Sequence, residues 1–252
     1  MKYVYIFNCL LYNSPMTRTI LFYTAMWVPI VLGSPIALVY ILLVKLGLGR
    51  FFEGFIHFFS SKWAKMVLKT TGSTITIEGL EKIPNEKGLC FVGNHQSAID
   101  ILIVLSVLPV TVGYIAKKQL LYYPFLNLWI VALRSAFIDR GNIKKALRSI
   151  EKGIEFIKKG NSMIIFPEGT RSKSDTMGIF KRGSLKLATR AGATIIPVTI
   201  SGSWHAWEEN LRIGPADIKF TVHEAVPTKD ISSDDRKALG GKLSKIISGG
   251  LV

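Results

Sequence analysis

The chain has 252 residues, room for one substantial domain plus an appendage, and carries 32 Lys and Arg against 17 Asp and Glu, a formal charge of +15. With 49% hydrophobic residues it is no disordered basic tail; basic and apolar together point to an anionic membrane surface or a phosphorylated substrate. No zinc-finger spacing, basic-region heptad or RNA-binding aromatic signature argues for nucleic acid, Cys9 and Cys90 cannot build a disulfide framework, and His57, His95, His205 and His223 lack metal-ligand spacing, so neither metal nor resident cofactor is expected.

Residues 1–18 show no assignable pattern. From 19 to 44 there is no charged residue, and that run is long enough to cross a bilayer core of about 30 Å. Pro29, Gly33, Ser34 and Pro35 interrupt it, which leaves both a span and a re-entrant hairpin open. Thin positive charge ahead of the run and the lack of a small-residue cleavage site disfavour a signal peptide. Lys45, Arg50, Lys62, Lys65 and Lys69 follow it, against Lys2 and Arg18 before it, so the charge bias places the rest of the chain on the cytoplasmic side of the cell membrane. Phe51, Phe52, Phe55, Ile56, Phe58, Phe59, Trp63, Met66 and Val67 then form a thick apolar face that either lipid or a protein core could cover.

Gly72 marks a boundary: residues 1–72 are expected to be an N-terminal helical, membrane-anchoring region and 73–252 an α/β domain. Residues 74–79 alternate like an edge strand, and short β-type runs at 89–92, 110–115, 136–138, 162–166, 194–200 and 218–222 alternate with helical stretches. That order predicts an α/β fold with a largely parallel central sheet flanked by helices. Within it, 143–158 reads as a sheet-covering helix with Ile143, Leu147, Ile150, Ile154 and Ile157 on its inner side.

The chemistry gathers at Asn94-His95-Gln96-Ser97-Ala98-Ile99-Asp100. A neutral imidazole accepts a proton near neutral pH, and a carboxylate on its other nitrogen fixes the tautomer and steadies the cation. Positions i and i+5 of one helix lie about 140° apart, so the pair needs a loop-to-helix junction. The strand before His95, and Ser97 as N-cap with Asp100 at N3 ahead of an apolar run, supply one. Taken alone, the spacing also fits a loop histidine beside a capping aspartate.

A second cluster follows the strand at 162–166: Pro167-Glu168-Gly169-Thr170-Arg171-Ser172, then Phe180-Lys181-Arg182-Gly183. Open α/β sheets bind ligands beyond the carboxyl ends of their strands, where this cluster and the histidine segment both fall. Gly169 lets backbone N–H groups approach an anion, and Arg171 offers a planar fork suited to phosphate. Lys117-Lys118 and Asp139-Arg140 end two further strands, which together imply an anionic substrate.

Over roughly residues 75–222 these segments resemble the glycerolipid acyltransferase family, above all its bacterial 1-acyl-sn-glycerol-3-phosphate acyltransferases. Asn94 to Asp100 resembles its NHxxxxD block, Phe137-Ile138-Asp139-Arg140 the second, Phe166-Pro167-Glu168-Gly169-Thr170-Arg171-Ser172 the third, and Ile195-Ile196-Pro197-Val198-Thr199-Ile200-Ser201-Gly202 the fourth. Ser135 departs from the glycine that often opens the second block.

The resemblance implies acyl transfer from acyl-CoA or acyl-carrier protein, as co-substrate, to the sn-2 hydroxyl of lysophosphatidic acid, forming phosphatidic acid. It implies His95 as base with Asp100 holding it, and Lys117, Arg140, Glu168, Gly169, Thr170 and Arg171 around the acceptor phosphate. Pro197 is implied as an acyl or donor contact. A membrane phospholipid surface is an expected partner. Glycerol 3-phosphate or another lysolipid is an alternative acceptor, and a non-catalytic protein that binds anionic lipid is the alternative from another class. Neither a GxSxG elbow nor a Walker A sequence is present, so a serine nucleophile and nucleotide hydrolysis have no support.

Overall fold

The computed structural model describes residues 2–6, 14–181 and 183–251; Cys9 and Arg182, singled out above, lie outside them. One sheet collects β1 (Lys2–Ile6), β2 (Thr74–Glu78), β3 (Cys90–Gly93), β4 (Val112–Lys117), β5 (Ala136–Ile138), β6 (Ser162–Ile165), β7 (Ile195–Ser201) and β8 (Asp217–Val222), in the spatial order β1-β2-β8-β7-β3-β6-β4-β5. The block β7-β3-β6-β4-β5 is parallel throughout, so five carboxyl ends share one edge. Beyond it β8 runs antiparallel to β7, β2 parallel to β8, and β1 antiparallel to β2.

The inner strands β3, β6 and β7 are buried at every position, as continuous apolar runs covered on both faces must be. Side-chain alternation sorts them between two cores: Phe91, Ile164 and Ile196 point to one, Cys90, Val92, Met163, Ile165 and Ile195 to the other. The first core is closed by α1 (Pro15–Leu32), α2 (Ser34–Lys45), α3 (Glu53–Thr71), α4 (Asp100–Val107) and α5 (Leu126–Ala132). The second is closed by α6 (Ile143–Lys158), α7 (Lys186–Ala191) and α8 (Ser233–Ser248).

Two expectations need correction here. The strand at Thr74–Glu78 is not an edge, because β1 pairs along it from Lys2↔Glu78 to Ile6↔Thr74. Its alternating burial reports one covered face, which inner and edge strands can share. Helix α6 has the expected bounds, yet Ile143 is 80% and Leu147 48% exposed, while Gly153, Ile154 and Ile157 are buried. Ile143 and Leu147 line a cavity, and the contact of α6 with α7 is made at Gly153, where a Cβ would stand 2.6 Å from Leu187 Cδ1.

The interruption at Gly33 is a bend of 48° between α1 and α2. A Cβ there would meet Trp129 at 2.9 Å and Phe59 at 3.1 Å, so those stacked rings need a glycine at the bend. Trp129 Nε1 donates to Ile30 O at 3.1 Å, occupying a carbonyl of α1's last turn that the helix leaves unpaired. No single described helix is long and apolar enough to cross a membrane; α1 and α2 together meet that length and composition as a bent pair. The apolar face expected over 51–67 divides: Ile56 and Val67 are buried in the first core, whereas Phe51, Phe55 and Phe58 are exposed, as are Leu38, Val39 and Leu46 of the preceding segment.

Candidate active site

β3 delivers Asn94 and His95 to the middle of the parallel block's carboxyl edge. Asn94 anchors the turn across the sheet, its amide donating to Ile200 O at 2.7 Å and its carbonyl accepting Ile200 N–H at 2.8 Å. His95 Nδ1 lies 2.7 Å from Asp100 Oδ2, and its ring stacks on Phe166 with centroids 4.3 Å apart. The carboxylate fixes the Nδ1–H tautomer, which leaves Nε2 as the nitrogen able to take a proton.

Asp100 does more than face the histidine. It is fully buried, and Oδ2 also accepts N–H from Gln96 at 2.8 Å and Ser97 at 2.9 Å, while Oδ1 accepts Ser203 Oγ–H at 2.5 Å. This corrects the expected cap. Asp100 is the first residue of α4, and its own carboxylate gathers the loop's N–H groups; Ser97 Oγ instead accepts Ile99 N–H at 3.1 Å.

Two further carboxylates, supplied by β6 and β7, brace the loop. Glu168 Oε1 accepts His95 N–H at 2.7 Å and Oε2 accepts Gly178 N–H at 2.6 Å. Burial pushes the Glu168 carboxyl up from its usual range, and those two N–H groups oppose the rise by favouring the anion. Glu208, past the end of β7, accepts Ser97 Oγ–H at 2.5 Å, Ala98 N–H at 2.9 Å and Arg171 Nη1–H at 2.9 Å. Neither Glu208 nor Ser203 was singled out from the sequence. The available signal was their place just beyond a strand's carboxyl end, diluted by Glu209, which pairs with His205 instead.

His95 opens into a cavity of about 1460 Å³. Much of its lining is apolar, with Phe22, Met26 and Ile30 of α1, Trp63 of α3, Leu102 and Leu105 of α4, Trp129, and Ile143, Leu147 and Ile150 of α6. The lining is also rich in cations: Lys117, Arg140 and Arg171 lie at or after three strand ends, and Lys173, Lys181, Lys186, Arg190 and Arg236 come from farther along the chain. Among the described residues its lining contains no Asp or Glu. Gly169 and Thr170 line it too, and Gly169 has φ +71°, with Lys181 Nζ 2.9 Å from where a Cβ would stand. A side chain at 169 would evict that lysine as well as strain the backbone.

Some expected residues lie elsewhere. Glu168 and Asp100 stand behind the lining as supports. Lys118 turns away to Asp139 at 3.1 Å; that hydrogen bond raises the lysine's affinity for its proton and lowers the carboxyl's. Pro197 is not brought to the cavity: it sits inside β7 opposite Val92, its carbonyl accepting His223 N–H at 2.9 Å. Ser135, at the glycine-like position, is buried and accepts Tyr114 N–H on Oγ at 3.0 Å, closing the start of the β4–β5 gap. Burial pushes the Cys90 thiol up to about 12, so it supplies no thiolate nucleophile at neutral pH. Among the described residues no group of three or more His, Cys, Asp or Glu could hold a metal.

A histidine held by a buried carboxylate beside a carboxylate-free, cation-lined pocket suits a transferase that activates a hydroxyl close to an anionic group. The chain belongs to the acyltransferase family, whose model matches residues 74–201, half of its length. It is 36% identical over 168 residues to a 1-acyl-sn-glycerol-3-phosphate acyltransferase of Cocos nucifera, covering 66% of this chain and 54% of that protein. It is 30% identical over 176 residues to the protein of that name from Borreliella burgdorferi, covering 69% and 70%. The chain thus spans about half the length of the coconut relative. The crystal structure of the 1-acyl-sn-glycerophosphate (LPA) acyltransferase PlsC from Thermotoga maritima superposes with a TM-score of 0.77 at 28% identity over 94% of each chain.

Proposed function

We propose that this chain is a 1-acyl-sn-glycerol-3-phosphate acyltransferase, which moves a fatty acyl group from acyl-CoA or acyl-carrier protein to the sn-2 hydroxyl and forms phosphatidic acid. The observation that carries this reading is the cavity at His95, whose lining combines apolar side chains with cations. An acyl chain suits the apolar side chains and a phosphomonoester the cations. His95 Nε2 takes the hydroxyl proton as the oxygen attacks the thioester carbonyl. The tetrahedral intermediate then collapses with loss of the thiolate, to which the imidazolium returns the proton. Asp100 stabilises that imidazolium, and Lys117, Arg140 and Arg171 hold the acceptor phosphate over Gly169 and Thr170.

Membrane attachment belongs to the same proposal. The bent pair α1–α2 and the exposed Phe51, Phe55 and Phe58 form an apolar surface of the kind that seats a protein on lipid, with the catalytic residues on the cytoplasmic side. Because α1 also walls the cavity, a lysophospholipid tail could pass from bilayer to site along one helix.

The test offers purified protein lysophosphatidic acid, glycerol 3-phosphate or lysophosphatidylcholine in detergent micelles, each with acyl-CoA and with acyl-carrier protein. Product from lysophosphatidic acid is expected. Preferential acylation of another acceptor would overturn the assigned substrate, and no product with any pair from folded protein would leave a lipid-binding protein in its place.

Glu208 offers a narrower check. It holds Arg171 while 5% exposed and ties it to the loop between His95 and Asp100. Glu208→Gln keeps one oxygen for Ala98 N–H but loses the charge that steadies the guanidinium. The KM for lysophosphatidic acid should rise about tenfold with kcat little changed, the signature of lost uniform binding. An unchanged KM would show that Arg171 needs no such tether.

A further inference from the structure

The cavity's cations carry more charge than one acceptor phosphate needs, and the fold supplies them from two sets of elements. Lys117, Arg140 and Arg171 lie at or after the carboxyl ends of β4, β5 and β6, on the same sheet edge as His95. Lys186 of α7 and Arg236 of α8 reach the same cavity from the helices that close the second core, beyond the loop in which Gly178 N–H meets Glu168. Lys181 is folded over Gly169. Arg190 also lines this end, but Glu151 pairs with it and answers its charge. Lys186 and Arg236 are exposed and make no ion pair among the described residues; the aliphatic stem of Lys186 lies along Gly183, 3.6 Å from where a Cβ would stand.

Acyl transfer of the kind proposed brings two anions to one imidazole. The acceptor is a phosphomonoester, and the donor's pantetheine arm ends in a phosphate whether that arm belongs to coenzyme A or to a carrier protein. We propose that Lys186 and Arg236 form a second anion site, which takes the phosphate of the donor's pantetheine arm while the strand-end cations hold the acceptor. This rests on the acyl-transfer reading. It accounts for why cations continue around the cavity onto α7 and α8, with no carboxylate in the described lining to oppose them.

The experiment compares wild type with Lys186→Ala/Arg236→Ala, using palmitoyl-CoA, palmitoyl-carrier protein and palmitoyl-pantetheine, which lacks the phosphate. In the variant the KM for both phosphorylated donors should rise about tenfold, with palmitoyl-pantetheine and lysophosphatidic acid unaffected. A rise for palmitoyl-CoA alone would move the contact to the nucleotide, and a rise for the carrier protein alone to its surface; either overturns the assignment to the arm. So does a rise in the KM for lysophosphatidic acid. Calorimetric binding of free 4′-phosphopantetheine, compared with pantetheine, separates the two proposals. Phosphate-dependent binding that the variant loses, in a protein that transfers nothing, would sink the acyl-transfer reading and leave the site standing. Transfer with unchanged 4′-phosphopantetheine affinity and unchanged donor KM would sink the site alone.

Discussion

Replacing His95 by alanine should lower kcat by about 10² to 10⁴-fold, the usual contribution of a positioned general base, while the fold and lipid binding survive. The side chain is 17% exposed, and its removal still leaves Asp100 with Gln96 N–H, Ser97 N–H and Ser203 Oγ–H, so no buried charge is stranded. Steady-state kinetics with lysophosphatidic acid, alongside urea unfolding, is the direct check. A folded His95→Ala protein with wild-type kcat would end the case for this base.

Asp100 should separate architecture from chemistry. Asp100→Ala strands the two loop N–H groups, the serine hydroxyl and the His95 ring N–H, for a stability loss on the order of 3 to 5 kcal/mol. Asp100→Asn can keep an oxygen where Oδ2 stands and turn its amide toward Ser203 Oγ, which can accept. The expected cost to stability is about 1 to 2 kcal/mol. Yet kcat should fall nearly as far as in His95→Ala, because a neutral amide does not stabilise the imidazolium. Combining His95→Ala with Asp100→Asn should add little further loss, since the two side chains act as a unit. Chemical unfolding of both Asp100 variants, with kinetics on Asp100→Asn, provides the measurement; an active Asp100→Asn would make the carboxylate a purely structural group.

Much of the scaffold was legible because it is local. The bounds of α6 follow from an amphipathic period that its neighbours leave intact, and the strand before His95 from a short apolar run. The His95–Asp100 contact was legible only with the four resembling blocks beside it, since the spacing alone also fits a loop histidine and a capping aspartate. The capping pattern was read the wrong way round, because Ser97 and Asp100 are both good caps and only coordinates show which oxygen collects the N–H groups. Ile143 and Leu147 keep the period of a core face but line the cavity, which periodicity does not distinguish from a core. Glu208 was beyond reach for a different reason: its partners Ala98 and Arg171 lie 110 and 37 residues away, and nothing local distinguishes it from Glu209. The five residues of β1 are too few for periodicity to rank them above loop.

The placement of β3 sets the order in which this protein can assemble. Its hydrogen-bonded neighbours are β6 and β7, and Asn94 waits for Ile200 across 106 residues. Closing loops of that length makes folding slow, and as the chain leaves the ribosome the apolar helices α1 to α3 emerge long before the strands that complete the sheet. The bracing of the histidine loop is not complete until Glu208 has been made. Until then β3 offers unpaired edges to any strand nearby, so the central part of the domain is the stretch most in need of protection during synthesis.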